Sequence, residues 1–206
     1  MRNIFPQLNF LKKYGWYLAG GTGLALQISH RTSIDFDFYN KKQFKSEAVL
    51  KIFEEKFSQQ IEIILKEKNT LIINIQGIRL SYFFYPYSLI RPLINIESVA
   101  VASMEDIAAM KIIAIAQRGT KRDFIDLYYL LQKFNLVEIF NFVRKKYPKY
   151  NIYHALRALT FFKDAEKEDK TRNGKIQIFD SKFSWFEVKN YLLKAVKEYQ
   201  LSLIKK

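Results

Sequence analysis

The chain of 206 residues has no cysteine. That excludes disulfide staples, thiolate zinc sites and cysteine nucleophiles in one step. Histidine is nearly absent: His30 and His154 are the full complement. A zinc site of the usual His/Cys kind is not expected, and Ser–His–Asp hydrolysis would have to use one of those two. No uninterrupted apolar run approaches ~18 residues, so no membrane span is expected. Residues 1–6 lack a basic region followed by an apolar block, so no signal peptide is expected, which points to a cytoplasmic protein. Acidic residues are in deficit, 20 Asp+Glu against 34 Lys+Arg, for a formal charge of +14. A positive field attracts phosphate-rich partners, although lysine used only for solubility gives the same composition. With 49% apolar and 16% aromatic residues, the chain has ample material for a packed core.

Residues 1–100 read as a mixed α/β domain. Ile4, Leu8 and Leu11 follow helical spacing, and Trp16–Ala19 is a short strand entering the Gly20-Gly21 turn. Helical character resumes over Leu24–Ile28. Ile34–Tyr39 alternates, with Ile34, Phe36 and Phe38 on one face and Asp35, Asp37 and Tyr39 on the other, as in a half-buried strand. Lys45–Phe57 fits an amphipathic helix, and Ile61–Leu65, Leu71–Ile75 and Ile78–Tyr85 are strand-like. Residues 101–206 read as a helical bundle. Helices are expected over 104–118, 121–133, 136–147 and 151–165, with Ser103 and Thr120 as N-caps, and a last helix from the Ser184/Glu187 capping box to about Leu203. The charged run Lys163–Lys175 reads as a solvated loop.

Three constellations carry chemistry. In the first, Gly20-Gly21-Thr22 precedes Asp35-Phe36-Asp37. Alternate strand residues share a face, ~6.5–7 Å apart at Cα. Two carboxylates there repel unless a cation lies between them, and an all-oxygen set suits Mg²⁺ with substrate phosphates as further ligands. The turn opens a helix whose free N–H groups favour phosphate, and Thr22 offers a hydroxyl. Each part alone also fits a plain turn and a plain wet strand face; together they form a metal–nucleotide site. Tyr39 continues the polar face, as site wall or plain surface. The second is Lys111 in the otherwise apolar run Ile107–Ala116, either snorkelling to water or aimed at a triphosphate. The third is Arg122 with Asp126, four residues apart on one helical face, with Arg118 and Lys121 nearby. Further candidates are Arg31, as a phosphate contact or a loop-fixing ion pair, and the run Arg144-Lys145-Lys146-Tyr147-Pro148-Lys149, as a nucleic-acid contact or merely a basic helix end. His154 and Ser33 read as structural.

These spacings together resemble the AbiEii-type nucleotidyltransferase toxins of type IV toxin–antitoxin and abortive-infection systems. The first motif of that family is matched by Gly20, Gly21, Thr22, Asp35 and Asp37, the second by Lys111 with Ala116, and the third by Arg122 and Asp126. Ala108, three before Lys111, departs from the family's usual branched residue or Thr. The resemblance covers roughly residues 15–165. It implies an α+β polymerase-β-like nucleotidyltransferase fold, a mixed sheet flanked by helices and followed by a C-terminal helical bundle that contributes Lys111 and Arg122/Asp126 to the site. It also implies transfer of a nucleoside monophosphate from an NTP to an acceptor hydroxyl, with RNA, tRNA 3′ ends first, as acceptor, Mg²⁺ (or Mn²⁺) as cofactor, and an antitoxin protein as partner.

In that picture Gly20, Gly21, Thr22, Arg31, Lys111 and Arg122 bind the nucleotide. Asp35 and Asp37 hold the metal, and Asp126 positions or deprotonates the acceptor hydroxyl. Many polymerase-β-type enzymes carry a third carboxylate on a neighbouring strand. Here Ile78–Tyr85 has no acid, Ser81 stands in a plausible position, and Glu62 is the substitute on the preceding strand. A protein acceptor (NMPylation), a non-catalytic nucleotide or nucleic-acid binder on the same fold, and an Asp-x-Asp glycosyltransferase are the alternatives. The preceding Gly-Gly-Thr turn and small size speak against the last.

Overall fold

The computed structural model describes residues 4–57, 61–167 and 176–204. The chain divides into two compact units: residues up to Leu26 together with Ser33–Ser103, and Gln27–Thr32 together with Met104 onward. The expected cut near residue 100 falls at Ser103. The six-residue segment Gln27–Thr32, however, belongs with the helices.

The first unit is built on a seven-stranded mixed sheet of order β3-β4-β5-β2-β1-β7-β6. Its strands are β1 (Tyr17–Ala19), β2 (Asp35–Asn40), β3 (Ile61–Glu67), β4 (Thr70–Ile75), β5 (Ile78–Phe84), β6 (Ile94–Ile96) and β7 (Val99–Val101). Strand β2 is central. It pairs antiparallel with β1 and parallel with β5. Its alternation separates two faces: Phe36, Phe38 and Asn40 are buried, while Asp35, Asp37 and Tyr39 stay partly accessible. Phe38 stacks on Tyr82 at 5.5 Å, and Trp16 meets Tyr82 edge-on at 5.2 Å. Helix α2 (Ser46–Lys56) closes this core with Val49, Leu50 and Phe53. The N-terminal apolar spacing forms a 3-10 helix, Phe5–Tyr14, that ends at Gly15 with φ +80°.

Strands β6 and β7 have no counterpart in the sequence reading. Each is three residues long, too short for a period-2 signal. Their tight turn uses Glu97 (φ 47°) and Ser98 (φ 67°), not the Asn-Gly pair that would announce it.

Helix α1 (Gly20–Ile28) follows β1 directly. The second unit contains α3 (Met104–Gln117), α4 (Lys121–Leu131), α5 (Leu136–Lys146), α6 (Ile152–Ala158), α7 (Lys163–Lys167) and α8 (Trp185–Ile204). Helix α3 is apolar nearly all round because it packs on α4, α5 and α6 together. Helix α5 starts at a reciprocal capping box between Asn135 and Glu138. Thr120 is the N-cap residue of α4, as expected, but its hydroxyl makes no cap bond to the helix backbone and donates instead to the Asp123 carboxylate at 2.6 Å.

The expected helix 151–165 is two helices. The chain tightens into i→i+3 bonds at Thr160 and Phe161. Phe162 then packs on Phe124 at 5.1 Å. Of the charged run 163–175, residues 163–167 are helical and the rest lie outside the described residues. Gln27–Thr32 is tied to the segment after it in space by an Arg31–Ile178 bridge, Thr32 N–H to Gln177 O (2.8 Å) and Phe179 N–H to His30 O (3.1 Å).

Candidate active site

In the first unit, β1 ends at Ala19, which registers opposite Asp37. The chain then turns through Gly20 at φ +65° into α1. A Cβ at Gly20 would sit 3.1 Å from Asp37 Oδ2, so any other residue there would strain the backbone at φ +65° and crowd the carboxylate beside it. Thr22 is buried. Its hydroxyl donates to the Asp35 carbonyl and lies 2.7 Å from the Ser33 hydroxyl. Those bonds occupy the group that the sequence reading offers to phosphate. Thr22 therefore positions the start of β2 against the start of α1, and the phosphate donors left at this turn are backbone N–H groups.

Across the parallel β2–β5 register, Arg79 lies opposite Asp35 and Ser81 opposite Asp37. Neither can replace a third carboxylate. Glu62 cannot either: it pairs with Asn74, which pairs with Arg79, so three strand spacings, ~14 Å, separate it from Asp35. Among the described residues, no group of three or more His, Cys, Asp or Glu side chains is placed to hold a metal ion. The oxygen pair Asp35/Asp37, with Gly20 pressed against it, is the set that fits a hard divalent cation completed by water and phosphate.

In the second unit, Lys111, Asp123 and Asp126 are brought together. Lys111 Nζ lies 2.9 Å from Asp123 Oδ1 and 2.6 Å from Asp126 Oδ2, and all three residues are buried. Arg31 Nε and Nη2 donate to the two oxygens of Asp126 at 2.7 and 2.9 Å, and His30 Nε2 lies 2.7 Å from Oδ1. Arg118 and Thr120 complete the shell of Asp123. Burial alone would raise both carboxyls. The ammonium of Lys111, together with Arg31 at Asp126 and Arg118 at Asp123, overrides it and holds both well below the ordinary carboxylate range. Burial likewise opposes the charge on Lys111, but its two carboxylates win and push its pKa up.

This geometry revises several sequence expectations. Asp126 has no exposed surface and is surrounded by cations, so it is not built to take a proton from an acceptor hydroxyl. Arg31 is the loop-fixing ion pair and not a phosphate contact, since its guanidinium is buried and bidentate on Asp126. Arg122 is not the partner of Asp126 despite the four-residue spacing; it stays half-buried while Lys111, Arg31 and His30 hold the carboxylate. Lys146 is fully buried on Asp106 at 2.6 Å, and Tyr147 is buried too, so both leave the candidate nucleic-acid surface. Arg118, Arg144, Lys145 and Lys149 are exposed, and Lys121 lies over the Trp185 ring at 5.1 Å. His154 is exposed.

The sequence reading missed Asp123 and the ion pair Asp106–Lys146. A clue existed for Asp123, an acid directly beside a buried phenylalanine on an amphipathic helix. None existed for a pair 40 residues apart.

A family model described as nucleotidyl transferase AbiEii toxin, type IV TA system, matches residues 9–184. An uncharacterized protein of Aquifex aeolicus (strain VF5) is 36% identical over 190 residues, 89% of this chain and 87% of that one. Two solved structures share the fold. A putative nucleotidyltransferase from H. pylori matches with a TM-score of 0.57 at 18% identity, over 100% of this chain and 93% of that one. The nucleotidyltransferase toxin MenT4 from Mycobacterium tuberculosis H37Rv matches with a TM-score of 0.59 at 13% identity, over 88% and 74%. The mixed sheet with its flanking helices is thus the nucleotidyltransferase fold. With the family model spanning most of its length, the chain belongs to the AbiEii nucleotidyl transferase toxins of type IV toxin–antitoxin systems and is a nucleotidyltransferase.

Proposed function

We propose that this nucleotidyltransferase moves a nucleoside monophosphate from an NTP to an RNA hydroxyl, with tRNA 3′ ends as the first acceptor to test, and that an antitoxin protein restrains it. The observation that carries the reading is the contact of Gly20 with Asp37, which places the N-terminus of α1 and the Asp35/Asp37 face of β2 side by side. Gly20 and Gly21 give the triphosphate free backbone N–H groups and the positive end of α1. Asp35 and Asp37 would hold Mg²⁺ or Mn²⁺, which when bound offsets charge on the phosphates. The acceptor hydroxyl gives up its proton to solvent as its oxygen bonds to the α-phosphorus and the bond to pyrophosphate breaks, and the residues of the turn keep the triphosphate in place through that exchange.

Lys111 and Asp126 take a positioning role in this reading. Lys111 neutralises Asp126, and Asp126 holds Arg31 and with it the segment Gln27–Thr32 of the same unit. Arg122 remains as the cation of its motif for phosphate. Arg118, Arg144, Lys145 and Lys149 supply sequence-independent RNA contacts.

The test is transfer of label from each α-labelled NTP in Mg²⁺ to total RNA, with Asp35→Asn and Asp37→Asn alongside. Label on an RNA band that both variants lose supports the reading. Label on protein alone replaces RNA by a protein hydroxyl. Transfer that persists in both variants overturns the assignment of the carboxylates.

A further inference from the structure

The second unit holds a cavity of about 350 Å³ that shares no residue with the glycine turn or with Asp35 and Asp37. That volume lies at the small end of the ~300–1,000 Å³ range of ligand pockets, room for one nucleotide-sized molecule. Its wall forms where Gln27–Thr32 is tied to the segment 177–179. The Phe179 N–H donates to the His30 carbonyl at 3.1 Å, and the His30 ring lies 5.0 Å from the Tyr129 ring of α4. Tyr129 is half-buried and Phe179 is 55% exposed.

The lining is polar as well as aromatic. Gln132 and Lys133 are exposed, and Lys133 makes no ion pair among the described residues. Asp180 is already engaged: its carboxylate accepts the Lys182 N–H at 2.9 Å and lies 3.5 Å from the Tyr129 hydroxyl. The buried member of the lining is His30. Its Nε2 lies 2.7 Å from the charged Asp126 carboxylate, while its Nδ1 is buried with no hydrogen-bond partner. With Nε2 donating, Nδ1 of the neutral ring is an acceptor. A buried acceptor left unpaired on a residue of a cavity wall fits a donor brought by an occupant.

We propose that this cavity takes one unpaired nucleotide of the acceptor RNA, with its base against Tyr129 and Phe179 and its phosphate at Lys133. The proposal rests on the RNA-transfer reading and adds where the acceptor is held. Charge selects the occupant. Lys133 and Asp180 give the lining one ammonium and one carboxylate. A free triphosphate needs more counter-charge than that, whereas a phosphodiester carries a single charge that Lys133 matches. The exposed positions of Gln132, Lys133 and Phe179 leave the mouth open for the strand to continue. The π-face of a base suits the two rings, and the exocyclic amine of adenine suits Nδ1.

The experiment titrates a fluorescently labelled hexariboadenylate, in EDTA, with wild type, Tyr129→Ala, Phe179→Ala, Lys133→Ala and Asp35→Asn, read by anisotropy. EDTA removes any contribution of a metal at the carboxylate pair. Tyr129→Ala and Phe179→Ala should each weaken binding about five- to tenfold. Lys133→Ala should weaken it about two- to threefold and flatten its salt dependence. Asp35→Asn should bind as wild type does, and AMP should bind more weakly than the hexamer. A strand carrying a single 4-thiouridine should crosslink on irradiation to a peptide that holds Tyr129 or Phe179.

Binding unchanged in all three alanine variants overturns the proposal, as do crosslinks found only elsewhere. So does AMP bound as tightly as the hexamer, which would make the cavity a free-nucleotide site. Phe179→Ala and Lys133→Ala, at exposed positions, keep the test valid should Tyr129→Ala fail to fold. Binding weakened in the variants, with no label moved to RNA by wild type, keeps the RNA site and removes the transfer reading. Binding unchanged in the variants, with label moved to RNA and lost in Asp35→Asn, does the reverse.

Discussion

Arg31 grips both carboxylate oxygens of Asp126 across 95 residues of sequence, with neither side chain open to solvent. The pair joins the short segment Gln27–Thr32 to helix α4 within one unit. A buried carboxylate held this way is costly to disturb, because its loss leaves the buried Arg31 guanidinium without its carboxylate and Lys111 with Asp123 alone. Asp126→Asn should lower unfolding free energy by about 3–5 kcal/mol, measured by urea denaturation. A change below about 0.5 kcal/mol, the scale of ordinary surface substitutions, would show that the network carries little.

Acid should find the same cluster. Asp123 and Asp126 have folded-state pKa values below their unfolded ones. The stability they contribute is therefore present above about pH 4, the ordinary carboxylate value, and is lost as pH falls through the depressed folded values. Lys111 is shifted the other way, upward. Its contribution is complete below the ordinary lysine pKa and fades only as strong alkali deprotonates it. Wild type should lose stability steeply below about pH 4, and Asp126→Asn should show a shallower acid slope. Equal slopes in the two proteins would refute this origin of the acid sensitivity.

At the glycine turn, Gly20→Ala should abolish transfer and cost about 1 kcal/mol or more in stability, since φ +65° and a Cβ 3.1 Å from Asp37 Oδ2 both resist it. Labelled-NTP transfer and thermal unfolding check the two halves separately. Near-normal transfer by this variant would remove the close approach from the mechanism.

Thr22→Val keeps the shape but loses the hydroxyl bonded to Ser33 and to the Asp35 carbonyl. Transfer should fall about 10–100-fold from misplacement alone, with KM for NTP rising less than kcat falls. Thr22→Ser should restore most of it. A rise in KM alone would instead make Thr22 a direct phosphate contact.

The basic run at the end of α5 should split by burial. Lys146→Met removes the buried ammonium that faces Asp106 at 2.6 Å and should destabilise by about 3–5 kcal/mol. Lys145→Ala and Lys149→Ala should change stability by less than about 0.5 kcal/mol while weakening RNA binding and flattening its salt dependence. Gel-shift titrations at two salt concentrations read the second effect. RNA affinity unaltered by both exposed substitutions would move the RNA surface elsewhere.

The strand Asp35–Asn40, helices α2 to α5 and α8, and the Gly20-Gly21 turn were all legible in sequence. Each announces itself locally, through period 2, period 3.6, or residues that only a turn favours. The three motifs that resemble the AbiEii family were legible for the same reason. Asp35 and Asp37 lie on one strand, and the turn beside them is close in the chain. Strands β6 and β7 were not, since three residues hold too little pattern and the Glu97-Ser98 turn uses no marker residue. The break near Thr160 was not either, because packing of Phe162 on Phe124 ends the helix there.

By itself, then, the sequence determined the fold class, the family and the placement of Asp35 and Asp37 on one strand face, because those depend on short-range periodicity and on spacing along one strand. Tertiary structure alone decided what the isolated charges do. Arg122 and Asp126 sit four apart on a helix, yet Asp126 belongs to Arg31, His30 and Lys111. Lys146 looks like one more cation in a basic run, yet it is sealed against Asp106. A charge reports its role through burial and through partners tens of residues away, since removing it from water demands an opposite charge within reach. Only the folded chain specifies which one arrives.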